Sequence, residues 1–135
     1  PTAHYPHMTN PLLDPPPDDR FEFRPSTIPG AGLGVFARVP LPAGAELEVV
    51  GVLVRRDSVA DCCTHFADHH KFTVGADLLL VPVSPGGMVN HSPDANLERV
   101  EYPGRVVLRA RRPVAVGEEL FFTYSAGARE RLGLS

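Results

Sequence analysis

The sequence predicts a small, mostly-β domain. Three observations lead there. Short apolar and β-branched runs recur, separated by Gly and Pro turn signals on the order of ten residues apart. Only one stretch shows apolar residues at helical spacing. The 135 residues, 43% of them hydrophobic, suffice for one core but are few for two domains.

The first twenty residues are read as a flexible proline-rich tail, with three successive prolines at 15–17. Proline fixes φ and removes ladder donors, so this stretch favours extended backbone. Residues 1–7 are read as a cloning remnant with Met8 as a native start, the alternative being a processed native tail; either way His4 and His7 are assigned no site. A single domain is expected over 21–135. "FEFRPS" from Phe21 alternates like a half-buried strand, and Val35–Phe36–Ala37 forms a second strand after a glycine-rich stretch. "PLPAG" at 40–44 is a turn, and "ELEVVGVLVRR" gives either two strands or one bulged strand around Gly51. In "DSVADCCTHFADHHKFTV", Val59, Cys62, Cys63 and Phe66 recur at helical spacing, capped by Asp57 or Ser58. "DLLLVPV" reads as a strand ending at Pro82, and "NLERVEYPGRVVLRA" as strand, turn at Pro103–Gly104, strand. An aromatic-rich strand follows Gly117, and the last residues form a final turn of helix.

Charge and cysteine usage narrow the function. The net charge of −3 argues against direct nucleic-acid binding and against attraction to an anionic membrane. No apolar run approaches the length of a membrane span. Positive charge is almost all arginine; Lys71 is the one lysine. The two cysteines, Cys62 and Cys63, are adjacent, a geometry too strained for an ordinary bridge. A reducing, cytoplasmic setting is the expectation. Cys62, Cys63, His65, His69 and His70 form a metal-like cluster, but the spacing matches no standard zinc site, and no metal is expected.

Three segments carry polar groups where chemistry is served. In "PGAGLGVFA", alternate glycines permit tight turning and close backbone approach; alone, this is a bulged hairpin turn. The third glycine comes one residue early for a dinucleotide fingerprint, and a strand follows in place of a helix. "VNHS" ends an apolar run with directed donors and acceptors on Asn90 and His91; alone, it equally suits an Asx turn. In "GEELFFTYS", Leu120, Phe122 and Tyr124 share one face of a strand, and Phe121 and Thr123 the other. A tyrosine so placed buries its ring and aims its hydroxyl at a polar group.

Together and in this order, "GAGLGVFA", "NHSPDAN" and "GEELFFTY" resemble the signature segments of the SET domain, the lysine methyltransferase module, particularly its small viral and bacterial members. The similarity spans Phe21 to Ser125. It implies a β-clip of small curved sheets, with one or two short helices and a C-terminal pseudoknot that brings Asn90, His91 and Tyr124 together. It implies S-adenosyl-L-methionine as cofactor and S-adenosyl-L-homocysteine as product. The backbone of Ala31, Gly32 and Leu33 would contact the cofactor, Asn90 its amino-acid portion and His91 its adenine side. Tyr124 matches the active-site tyrosine, next to cofactor and substrate. Phe72, Phe121 and Phe122 are candidates for the substrate channel, with ordinary core packing the alternative. Arg99 stands about where some members carry a second channel tyrosine. The partner implied is a protein presenting a lysine, such as a basic protein. With only "SAGARERLGLS" after Tyr124, the channel is open or is completed by a second subunit in a homodimer. Automethylation would be confined to Lys71 and the N-terminal amine. Pro93 and Ala95 depart from the family pattern, and Asn96 keeps to it. These departures support an alternative expectation: a SET-like module that binds the cofactor or a peptide with little or no turnover.

Overall fold

The computed structural model describes residues 18–135; the expectations for residues 1–17 lie outside the described residues. Strand β1 (Phe21–Pro25) pairs antiparallel with β2 (Leu33–Ala37) as a hairpin around the glycine-rich turn. The "ELEVVGVLVRR" stretch resolves into two strands, β3 (Glu46–Glu48) and β4 (Gly51–Arg55). Gly51 lies against the Val81 carbonyl, where no Cβ fits. The chain then forms helix α1 (Val59–Cys63), a 3-10 turn at His65–Ala67, β5 (Phe72–Thr73) and β6 (Leu78–Pro82). A second 3-10 turn at Pro85–Met88 leads into β7 (Asn90–His91). Strands β8 (Leu97–Tyr102) and β9 (Arg105–Ala110) form the expected hairpin, turning through Gly104 at φ 69°. The chain closes with β10 (Phe121–Phe122) and helix α2 (Ala126–Leu132).

Among the described residues the strands form four small sheets, β1-β2, β4-β6-β5, β3-β9-β8 and the parallel pair β10-β7. No single sheet covers the core. Instead the sheets surround a common apolar cluster that includes Val35, Leu47, Leu80, Val89, Val106, Leu108, Leu120 and Phe122. Strand β9 is central to its sheet, and its successive residues Val106, Val107 and Leu108 are all buried. Burial on both faces explains why this run reads as continuously apolar. Among the described residues, no helix is long and apolar enough to cross a membrane.

Three local expectations need correction. The apolar face assigned to α1 is not buried: Val59 is 80% and Phe66 85% exposed, and both cysteines are exposed. The inward anchor is instead Asp61, which accepts from the Asp57 N–H at 2.8 Å and from Lys71 Nζ at 2.7 Å. A helix of five residues is held by this polar lock, with Ser58 Oγ capping the Asp61 N–H. The second correction concerns Phe23, placed by alternation on a half-buried face: Phe21 is buried, but Phe23 is 48% exposed. Strand β1 carries only one of its two phenylalanines into the core. The C-terminal helix is longer than one turn, capped by Ser125 Oγ on the Ala128 N–H and ended by left-handed Gly133.

Leu108 has no exposed surface. Leu108→Ala should lower stability by about 3 kcal/mol through lost burial and the cavity left behind. The expected reading is a lower urea midpoint at an unchanged slope.

Candidate functional site

The site forms where the C-terminal segment is held from two sides. On one side, the Leu120 N–H donates to the Val35 carbonyl at 2.8 Å, and the Ala37 N–H to the Glu118 carbonyl at 3.0 Å. On the other, β10 pairs in parallel with β7, matching Phe121 with Asn90 and Phe122 with His91. Asn96, 2% exposed, locks this junction with its amide: Nδ2 donates to the Glu119 carbonyl at 2.8 Å, and Oδ1 accepts from the Phe121 N–H at 2.9 Å. An asparagine there acts as a stand-in for a paired strand.

At the centre of the junction is the carboxylate of Glu119, 4% exposed. It accepts from Ser26 Oγ at 2.8 Å, the Thr27 N–H at 2.7 Å, Thr27 Oγ1 at 2.6 Å and Asn90 Nδ2 at 3.2 Å. Burial alone would push its pKa up; the donors of Thr27, Ser26 and Asn90 outweigh that and hold it below the ordinary carboxylate value. The other Nδ2 hydrogen of Asn90 goes to the Leu33 carbonyl at 3.1 Å. Asn90 therefore ties the glycine-rich turn to the buried carboxylate, and its Oδ1 accepts no hydrogen bond among the described residues. Gly34 permits this approach, since a Cβ there would overlap the Glu119 carboxylate. Gly32 holds the turn at φ 74°, and Ala31, Gly32 and Leu33 are exposed beside Asn90.

His91 and Tyr124 are fixed by the same pairing. The Tyr124 N–H donates to His91 Nδ1 at 3.0 Å, so Nε2 carries the imidazole hydrogen and donates it to the Ser135 carbonyl at 2.8 Å. The Tyr124 hydroxyl donates to the Val89 carbonyl at 2.9 Å. Burial raises the Tyr124 pKa, so the phenol stays protonated well past neutral pH. A ladder of rings follows: Phe72 on Phe122 with centroids 5.6 Å apart, Phe122 to Tyr124 at 4.9 Å, and Tyr124 to His91 at 5.1 Å. Phe72, Phe122, Tyr124, Val89 and Arg99 line one cavity, together with His69, His70, Lys71, Gly87, Ser125 and Ala128.

A family model described as the SET domain matches residues 32–125, more than half of the chain and all three segments but the start of the glycine turn. The chain belongs to the SET-domain family. Its fold is similar to solved structures of the Polycomb Repressive Complex 2 of Chaetomium thermophilum. For the humanized mutant bound to the inhibitor GSK126, the TM-score is 0.68 at 21% identity, covering 82% of this chain and 16% of that one. For the complex in an autoinhibited conformation bound to S-adenosylmethionine, it is 0.68 at 21% identity, covering 84% and 16%. At this identity the likeness is one of fold, and this SET domain spans only 16% of the length of those chains. No curated protein matches the chain in sequence.

The SET fold brings Leu33, Asn90, His91 and Tyr124 into one region. Phe121 is not among the cavity-lining side chains; strand alternation turns it away from Phe122 and Tyr124. Arg99 does line the cavity: its guanidinium lies 5.5 Å over the Phe72 ring, donates to the Thr73 carbonyl and pairs with Glu101 at 3.6 Å. Lys71 differs from its expected availability. Its side chain is 4% exposed, and Nζ reaches Asp61 Oδ1 at 2.7 Å and Asp68 Oδ1 at 2.6 Å. Burial favours the neutral amine, but the two carboxylates outweigh it and keep the ammonium charged. Among the described residues, no three His, Cys, Asp or Glu groups are arranged to hold a metal ion. His65 Nδ1 faces Asp68 at 2.7 Å and His70 Nδ1 the Gly87 carbonyl at 2.8 Å.

Sequence reasoning missed Glu119 as part of the site. The signal available was a glutamate directly before Leu120, Phe121 and Phe122, an unfavourable place for a charge unless it is satisfied.

Two outcomes follow from these contacts. Because the folded pKa of Glu119 is depressed, its contribution is fully present above the unfolded value, about 4.3, and is lost as pH falls through the lower folded value. Urea unfolding between neutral and acid pH should show this fall, reduced in Glu119→Gln. Incubation of the protein with S-adenosylmethionine should leave Lys71 unmethylated in a tryptic mass map, because its nitrogen is charged and shielded by two carboxylates.

Proposed function

We propose that this SET domain is an S-adenosyl-L-methionine-dependent methyltransferase acting on lysine side chains of proteins. The observation that carries the proposal is the junction of the three segments. It places the Asn90 amide, the exposed glycine turn, the His91 ring and the Tyr124 hydroxyl around one region next to a ring-lined cavity. The donor set suits the cofactor. Asn90 has spent both N–H groups internally and keeps Oδ1 as an acceptor for an ammonium, while the turn at 31–33 offers exposed backbone. When bound, S-adenosylmethionine supplies a methyl group activated by its positively charged sulfur.

The chain's own residues would prepare the acceptor. An amine attacks only when neutral, and the apolar walls of Phe72 and Phe122 disfavour its ammonium form. Tyr124 has committed its proton to Val89, so its lone pairs remain to orient an amine N–H. Its raised pKa keeps it a neutral phenol, which suits positioning better than proton abstraction. Rate then comes from alignment and exclusion of water more than from a strong acid or base.

A second reading is favoured by Arg99. A guanidinium lining the same cavity opposes entry of a lysine side chain that arrives from water as an ammonium, which suits a module that binds cofactor or peptide without turnover. A cytoplasmic setting belongs to the proposal and is supported by the free thiols Cys62 and Cys63. A homodimer belongs to it through the resemblance to small family members, and sedimentation velocity reads it directly.

The test combines calorimetry with S-adenosylmethionine and labelled methyl transfer to histones and ribosomal proteins. Binding with transfer supports the enzyme; binding without transfer to any of them supports the second reading; no binding at millimolar cofactor overturns the enzyme and leaves only the peptide-binding form of the second reading. In an active enzyme, Tyr124→Phe should lower kcat by about a hundredfold while cofactor affinity changes little.

A further inference from the structure

The buried carboxylate of Glu119 is the group the proposed mechanism leaves unused. It differs from the other buried acid, Asp61. Asp61 has the ammonium of Lys71 at 2.7 Å. Glu119 has four neutral donors, and among the described residues no Lys, Arg or His lies within ion-pairing distance. Neutral donors satisfy lone pairs but cancel no charge, so a net negative charge remains at the base of the junction.

That charge leads outward through Asn90. One Nδ2 hydrogen is fixed on Glu119 and the other on the Leu33 carbonyl, so the rotamer of the amide is determined. Oδ1 therefore points away from both and accepts no hydrogen bond among the described residues. A carboxylate on the donor side polarises the amide and makes Oδ1 a stronger acceptor. The same carboxylate repels an anion and attracts a cation at that oxygen. A glutamine at 119 would do neither, and its own NH₂ would compete for the Asn90 carbonyl oxygen. Gly34 adds the space: with any side chain there, the carboxylate could not approach the turn.

We infer that Glu119 is a positioning residue which, through Asn90, makes this pocket select ligands carrying an ammonium group, and so recognises the amino-acid portion of an adenosyl cofactor apart from its nucleoside. The inference rests on the proposed function. It concerns how the same site discriminates among adenosyl thioethers. Glu119 itself touches no ligand; it fixes and charges the group that does.

Two ligands separate this role from a purely structural one. S-adenosylhomocysteine carries the ammonium, and 5′-deoxy-5′-methylthioadenosine keeps the adenosyl thioether but lacks the amino-acid portion. Calorimetry on the full chain and on Glu119→Gln should show S-adenosylhomocysteine weakened about tenfold or more and methylthioadenosine changed by less than about threefold. Equal weakening of both ligands means that Glu119 only holds the loops together, and overturns the inference. So does an unchanged affinity for both. Should Glu119→Gln fail to fold, Glu119→Asp withdraws the carboxylate by one methylene and keeps its charge. The ratio of the two affinities should then fall in the same direction, and an unchanged ratio overturns the inference. The two levels of failure are distinguishable. If the unaltered protein binds neither ligand, the proposed function fails with the inference. If it binds S-adenosylhomocysteine and the variants lose both ligands equally, the proposed function stands and the inference alone fails.

Discussion

The interaction on which the rest depends is the set of hydrogen bonds converging on Glu119. Its side chain receives Ser26 and Thr27 from the first turn and Asn90 from the middle of the chain, while its own carbonyl is held by Asn96. Four small sheets have no common ladder to align them. The carboxylate adds a shared point of attachment for the first turn, β7 and the residues before β10, beside the short backbone pairings there. Burying a charge is costly, and the donors offset that cost only when every segment is in place. The junction is therefore a condition of the site's geometry as well as of its stability.

From that point the chemistry extends in two directions. On the side of the glycine turn, Asn90 is held through its Nδ2, which leaves its Oδ1 as an acceptor whose orientation the interior dictates. Toward the cavity, the pairing of β10 with β7 delivers Tyr124 against His91 and Val89. The two groups are contributed by segments far apart in sequence but fall within one continuous network. Arg99 is the discordant member. It brings a positive charge to a cavity whose walls are otherwise well suited to a neutral amine, and it is anchored by Thr73, Phe72 and Glu101 rather than free to swing away.

What the sequence made legible follows from the range of the interactions involved. Turn chemistry at Gly104 and Pro103 and the β-branched runs are local, so the β8–β9 hairpin could be read directly. The three ordered segments were legible as a resemblance, and with them Asn90, His91 and Tyr124. The inward face of α1 was not, because its anchor is a pairing of Asp61 with Lys71 ten residues away, invisible to helical periodicity. Glu119 stayed hidden for the same reason: its donors lie 92 and 93 positions earlier in the chain. Phe121 was a channel candidate through the resemblance, although strand alternation already set it on the face opposite Phe122 and Tyr124.

The parallel pairing of β10 with β7, together with the long reach of Glu119 to Ser26 and Thr27, has a kinetic consequence. Contacts so distant along the chain cost loop-closure entropy before they return any stabilisation, and such topologies fold slowly. The hairpins can form early from neighbouring residues. The pocket cannot, because the strand that completes it is among the last stretches of this domain to leave the ribosome. During synthesis the exposed turn at 31–33 and Asn90 exist without the carboxylate that organises them, and the capacity to hold a ligand arrives in one late step.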